Sequence, residues 1–234
     1  MKYSFDSRVR FSETDEDRKL TLNSIINYFQ DCSTFQSELL GDGFLQLREQ
    51  ERVWMLSSWQ IVIDRYPKLC EPITVSTWAY DFRHCFGSRN FTLDMEDGSR
   101  AAYANSLWVY VNTRNGKPEQ IPEALFDLYK PEERLPMEYA PRKIAVPKDC
   151  QTLESFPVRL HHLDVNHHVN NGQYIEMARE LLEEDFPVHQ MRAEYKKQAK
   201  LGDMIVPKMY RDDSTTVVVL SDTDDQPYAI VEFQ

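Results

Sequence analysis

The sequence predicts an α+β fold of two tandem units, each a long helix wrapped by an antiparallel sheet. Three observations carry this: an internal repeat, one amphipathic helix in each copy, and a series of strand-like runs after each helix. Val9, Arg10, Phe11, Ser12, Glu13, Thr14 and Asp15 fall on Val158, Arg159, Leu160, His161, His162, Leu163 and Asp164. The offset is a constant 149 residues and continues through Leu20 over Val169 and Ile26 over Ile175. Lys68, Leu69 and Ile73 then fall on Lys200, Leu201 and Ile205 at an offset of 132, and Tyr103 and Ala104 on Tyr228 and Ala229 at 125. Three matched blocks in one order point to duplication.

Each copy opens with a short strand that leads into a polar segment. A helix follows, on which Leu22, Ile25, Ile26, Phe29 and Cys32 recur at three- and four-residue steps, as do Tyr174, Ile175, Ala178, Leu181 and Leu182 in the second copy. Strand-like runs come next, at 58–63, 73–80, 89–95 and 102–111, then at 193–197, 204–210, 215–220 and 228–233. Seven of the twelve prolines crowd into residues 118–157, which reads as a connector with one short helix near 122–129, because proline interrupts both helix and sheet. The division is therefore an N-terminal unit at 1–115, a proline-rich connector at 116–150 and a C-terminal unit at 151–234.

The chain has 234 residues and a formal net charge of −11, which speaks against general nucleic-acid binding, since that draws on Lys and Arg to neutralise phosphates. No run approaches the roughly 20 apolar residues of a membrane span, and the opening residues form no apolar signal segment, so no membrane association and a cytoplasmic location are expected. Cys32, Cys70, Cys85 and Cys150 are scattered with no close pair, which suits reduced thiols rather than disulfides or a zinc site.

Four of the six histidines lie within residues 161–168. Asp164, Asn166 and His168 are spaced two apart, so on an extended segment they share one side of the backbone. Asn170 or Asn171 is placed to cap the next helix, whose first N–H groups and positive dipole end would adjoin the trio. Three readings compete: a metal site, for which no completing ligand pattern appears; a turn held by Asp and Asn, with surface histidines; and acyl-group chemistry. The third matches the residue types best, as base, orienting amide and oxyanion donors. The first copy has Asp15, Asp17 and Lys19 at these positions, so only the second copy can carry the trio, and one active site per chain is expected.

These residues resemble the acyl-acyl carrier protein thioesterases of plants and bacteria, and the resemblance covers nearly the whole chain. It rests on Asp64, Arg65, Tyr66 and Pro67 with Val75 and Trp78; on Ala104, Asn105 and Trp108 with Asn112; on Ile121 and Pro122; and above all on residues 163–171 with Tyr174. The resemblance implies a double hotdog fold, the helix as sausage and the sheet as bun, with Asp164, Asn166 and His168 as catalytic residues. It also marks a departure. The family's Tyr, two basic residues, Glu and Cys correspond here to Tyr195, Lys196, Lys197, Gln198 and Ala199. Ala199 offers no thiol, and Gln198 can orient water but cannot take its proton.

The reaction the resemblance implies is hydrolysis of the thioester of fatty acyl-acyl carrier protein, with no cofactor and no metal. Asp164 or His168 is then the base, Asn166 and Gln198 orient water, and backbone amides near Asn171 receive the oxyanion. Asp164 acting as a nucleophile is the rival route. Met55 and Trp59 are candidates for lining an acyl tunnel. The partner implied is the acidic carrier protein with its phosphopantetheine thioester, met by Arg142, Lys143, Arg192, Lys196, Lys197 and Lys200; a homodimer is compatible with the sequence. Other functions for such a fold are an acyl-coenzyme A thioesterase, a β-hydroxyacyl thioester dehydratase and a non-catalytic acyl-binding protein.

Overall fold

In the computed structural model, which describes residues 1–183, 186–212 and 214–234, the chain divides into a first unit of residues 1–57 and 61–139 and a second of residues 58–60 and 140–234. The dividing point falls inside the segment that reads as a connector. Its two parts pack on their own units. Ile121 and Tyr129 are buried with Leu47, Ala79, Phe82 and Tyr110 in the first unit, and Ile144 is buried with Val217, Val219 and Ile230 in the second. Beyond Lys117 and Pro118, which pair with Asn112 and Val111, the prolines keep the segment out of the sheets, while the apolar residues between them still leave water.

The first unit contains β1 (Tyr3–Arg8), α1 (Leu22–Leu40), α2 (Phe44–Glu49), β2 (Arg52–Ile63) apart from residues 58–60, β3 (Pro72–Arg83), β4 (Phe86–Met95), β5 (Arg100–Asn112), β6 (Lys117–Pro118) and α3 (Glu123–Tyr129). Its strands run in the order β1-β3-β4-β5-β2. Thr21 starts α1 by accepting the Ser24 N–H, and Gly41 ends it at φ +76°. The apolar face of α1, with Ile25, Ile26, Phe29 and Cys32 fully buried, lies on β1, β3 and β4. Burial pushes the Cys32 thiol up to about 12, so it is an inert core group. The same layer holds a buried guanidinium: Arg89 donates to Gln36 Oε1 at 2.6 Å and Thr77 Oγ1 at 3.3 Å, and lies 5.4 Å from the Tyr129 ring centroid.

The second unit contains β7 (Gln151–Thr152), β8 (Phe156–Pro157), α4 (Asn171–Arg179), β9 (Gln190–Tyr195), β10 (Met204–Arg211), β11 (Thr216–Ser221) and β12 (Pro227–Phe233), in the order β9-β12-β11-β10-β7. Helix α4 packs on β11 and β12. It is shorter than its periodicity suggests. Leu181 and Leu182, which continue the apolar spacing, lie in the turn after Arg179.

The repeat is visible bond by bond. Each copy has a short 3-10 turn, Phe11–Glu13 and Leu160–His162. Asp15 N–H donates to the Lys19 carbonyl at 2.9 Å, and Asp164 N–H to the His168 carbonyl at 2.9 Å. Arg18 and His167 occupy the same left-handed position at φ 62° and 59°. Further along, Val9 is bonded by Cys70 and Glu71, and Val158 by Gly202 and Asp203, which preserves the offset of 132. Cys70 and Gly202 are again both left-handed, at φ 71° and 85°.

Candidate active site

Asp164 stands at the head of a tight turn closed by a bridge between Leu163 and Val169. The segment is therefore not extended, and the two-residue spacing of the trio arises differently. Asp164 Oδ1 accepts the Asn166 N–H at 2.8 Å and the His168 N–H at 3.4 Å, and the Asp164 carbonyl accepts the His167 N–H at 3.1 Å. A short acceptor side chain bonding backbone two residues on is a stable way to fold such a corner. One carboxylate oxygen thus builds the turn. Asp164 and His168 are half-buried and Asn166 is exposed. His168 Nδ1 is buried and has no hydrogen-bond partner among the described residues.

Asn170, rather than Asn171, caps α4: its side chain accepts the Gly172 N–H at 2.8 Å, and its carbonyl accepts the Gln173 N–H at 2.9 Å. These two amides are unavailable to a ligand. Asn171 is the first helical residue, and its N–H finds no acceptor among the described residues. Its carbonyl accepts the Tyr195 hydroxyl at 3.0 Å.

Segment 195–199 runs beside the turn because Val169 N–H donates to the Ala199 carbonyl at 3.0 Å. Ala199 N–H donates to the Tyr174 hydroxyl at 2.8 Å. Gln198 lies between these anchors and the exposed lysines, with its side chain in solvent and no hydrogen bond to Asp164, Asn166 or His168 among the described residues. The four catalytic candidates are therefore brought together as backbone neighbours. Burial holds the phenols of Tyr174 and Tyr195 above their ordinary value, so both remain protonated. The Tyr174 and Tyr195 bonds have no signature in residue spacing; the signal for Tyr174 is its replacement by Ile25 in the first copy.

The basic residues separate into two groups. Arg192 bonds Glu232 at 2.9 Å and the carbonyls of Pro141 and Lys143 at 2.6 and 3.2 Å, with its side chain 12% exposed. Lys196 pairs with buried Glu194, which also accepts the Ile144 N–H at 3.3 Å. Arg192 therefore fastens residues 141–144 over the sheet and leaves the set of docking candidates. Lys197 is committed in turn to Asp222 at 2.6 Å. Arg142, Lys143 and Lys200 are exposed. Trp59 is buried and Met55 half-buried on β2. Among the described residues no group of three or more His, Cys, Asp or Glu side chains could hold a metal ion, and no helix is long and apolar enough to cross a membrane.

Two copies of a helix on an antiparallel sheet, one bearing an Asp, Asn and His turn at the helix head, define a tandem hotdog protein. The chain belongs to the acyl-ACP thioesterase family: residues 1–129 match the family's N-terminal domain and residues 146–232 its C-terminal domain. The chloroplastic palmitoyl-acyl carrier protein thioesterase of Cuphea hookeriana is 26% identical over an alignment of 182 positions that covers 71% of this chain and 43% of that protein. The oleoyl-acyl carrier protein thioesterase 2 of Arabidopsis thaliana is 25% identical over 84% of this chain and 59% of its own length. The chain thus spans roughly half the length of these relatives. An acyl-ACP thioesterase from Bacteroides thetaiotaomicron superposes with a TM-score of 0.92 at 23% identity, covering 99% of this chain and 96% of that one. The 12:0-ACP thioesterase from Umbellularia californica does so at 0.86 and 18% identity, covering 100% and 96%.

Proposed function

We propose that this chain hydrolyses the thioester of fatty acyl-acyl carrier protein in the cytoplasm, releasing free fatty acid and ending elongation. The observation that carries the reading is one turn built twice, with Asn166 and His168 present in one copy and an ion pair in the other. A fold alone needs the turn, not the amide and imidazole.

The hydrogen bonds suggest a division of labour. Asp164 Oδ1 is taken by backbone amides, which leaves Oδ2 to accept a proton from water. His168 Nδ1 is buried and has no hydrogen-bond partner among the described residues, which suits the ring's lone-pair position rather than its N–H. With the N–H on Nε2, His168 donates to the thioester oxygen as negative charge develops. Asn166 and Gln198 orient the water, and the Asn171 N–H adds a second donor. The leaving thiol departs as thiolate with little acid assistance, because its pKa is about 8.5. Met55 and Trp59 are assigned to the acyl chain, and Arg142, Lys143 and Lys200 to the acidic carrier.

The test is thiol release from a series of acyl-carrier and acyl-coenzyme A thioesters, beside Asp164→Ala and His168→Ala. Turnover of carrier thioesters that falls in both variants is the expected result. No release from any thioester would favour an acyl-binding protein, and preference for coenzyme A esters would move the substrate. Full activity in both variants would overturn the site.

A further inference from the structure

Ala199, the residue after Gln198, is fixed through both of its backbone groups. Its carbonyl accepts the Val169 N–H at 3.0 Å and its N–H donates to the Tyr174 hydroxyl at 2.8 Å, with the residue itself fully buried. Tyr174 is in turn held rigidly. It is 2% exposed, stacked on Tyr228 with ring centroids 6.5 Å apart and tilted against Tyr195 at 6.1 Å. The chain that presents Gln198 is thus tied to the catalytic turn by one bond and to helix α4 by the other.

The first copy separates these two bonds. Offsets of 149 and 132 place Ile25 under Tyr174 and Pro67 under Ala199. The carbonyl bond survives, with Leu20 N–H donating to the Pro67 carbonyl at 2.7 Å. The phenol bond is lost from both ends, since isoleucine has no hydroxyl and proline no N–H. Tyr66 stands where the second copy has Gln198. The fold therefore requires the carbonyl bond. The phenol bond occurs where Asn166 and His168 occur.

We infer that Tyr174 is a positioning residue for the reaction, acting through the Ala199 N–H to hold the backbone that presents Gln198 beside the Asp164 turn. This rests on the hydrolase reading above. Without the phenol oxygen, the buried Ala199 N–H has no acceptor, and the segment after β9 that carries Gln198 must shift or take up water. An orienting amide that wanders loses its contribution to the reaction while the acyl chain and carrier still bind.

A double-mutant cycle of Tyr174→Phe and Gln198→Ala tests this, with kcat, KM and the amide exchange of Ala199 as readouts. Phenylalanine keeps the ring packing. Tyr174→Phe is expected to lower kcat about tenfold, a loss of about 1.4 kcal/mol, with KM changed less than about twofold. Ala199 exchange should accelerate at least about tenfold while the β11 amides keep their protection. In a Gln198→Ala background Tyr174→Phe should cost nothing further. Multiplicative losses in the double variant, or unchanged Ala199 exchange in Tyr174→Phe, would overturn the inference. If the parent protein releases no thiol from any thioester the hydrolase reading fails, and the exchange measurement still decides whether Tyr174 holds this segment.

Discussion

Lys19 Nζ lies 2.8 Å from Asp17 Oδ2, so the first copy closes with an ion pair the place where the second copy holds His168 and Asn166. The turn beneath is shared: Asp15 Oδ1 accepts the Lys19 N–H at 2.8 Å as Asp164 Oδ1 accepts that of His168. What separates the copies is the side chains on a common backbone. Placing Asp17→Asn and Lys19→His in an Asp164→Ala background should restore no measurable thioester turnover, because Ile25, Pro67 and Tyr66 still stand where the second copy has Tyr174, Ala199 and Gln198. Single-turnover thiol release checks this.

Asp164 builds the turn and, on the proposed mechanism, takes the proton of water; different substitutions separate these roles. Asp164→Asn keeps an oxygen able to accept the amides of Asn166 and His168, so its thermal midpoint should match the parent while kcat falls by at least about 100-fold. Asp164→Ala loses the turn bonds too, and should unfold more easily by about 1–2 kcal/mol. Equal midpoints for the two variants would show that the turn does not depend on this side chain.

His162 links stability to pH next to the site. Burial, then the charges of His161 and Arg159, hold its pKa below 6.5, and its Nδ1 accepts the Arg159 N–H at 3.0 Å. A histidine that binds its proton more weakly folded than unfolded stabilises fully above pH 6.5, and that contribution fades as pH falls below 6.5 toward the folded value. Glu13, at the same place in the first copy, accepts the Arg10 N–H at 2.8 Å through a carboxylate. His162→Glu should therefore flatten the slope of unfolding free energy between about pH 6.5 and 5. A slope equal to the parent's would dismiss His162 as its source.

Arg89 is a buried cation held by neutral groups, Gln36 and Thr77, with burial holding its pKa below the ordinary value. Arg89→Met fills similar volume without desolvating a charge, so the variant should stay within about 1.5 kcal/mol of the parent or exceed it. Arg89→Ala leaves a void beside Tyr129 and should cost about 3 kcal/mol. Urea unfolding of both variants distinguishes volume from charge.

The two units and their helices were legible because apolar spacing and the repeat describe the same objects. Helix α2 escaped: Phe44–Glu49 is six residues long, too short for a period to show, and lies in the 17-residue spacer by which the offsets 149 and 132 differ. Beyond the two-residue β6 the connector was legible as a place without strands but not as two packed halves, because proline content reports lost pairing and says nothing of where Ile144 goes. At the site, residue types singled out Asp164, Asn166 and His168 as candidates. Their two-residue spacing was compatible with an extended segment, and only the backbone bonds to Asp164 Oδ1 show a corner. Arg192 and Lys196 read as a docking surface because a sequence counts charges without their partners, and Glu232 and Glu194 lie on those charges.

The left-handed corners at Cys70 and Gly202 show what duplication has left in this chain. Two different residue types occupy one backbone conformation within a single molecule, so each half is a control experiment on the other. Where geometry persists and the residue differs, as at this corner, the backbone shape is what the two halves hold in common. Where residues changed together, as Tyr174 with Ala199 against Ile25 with Pro67, a shared task was gained or relinquished as a block. Divergence between the halves thus sorts positions into those that preserve form and those that carry chemistry, and it does so without recourse to any other protein.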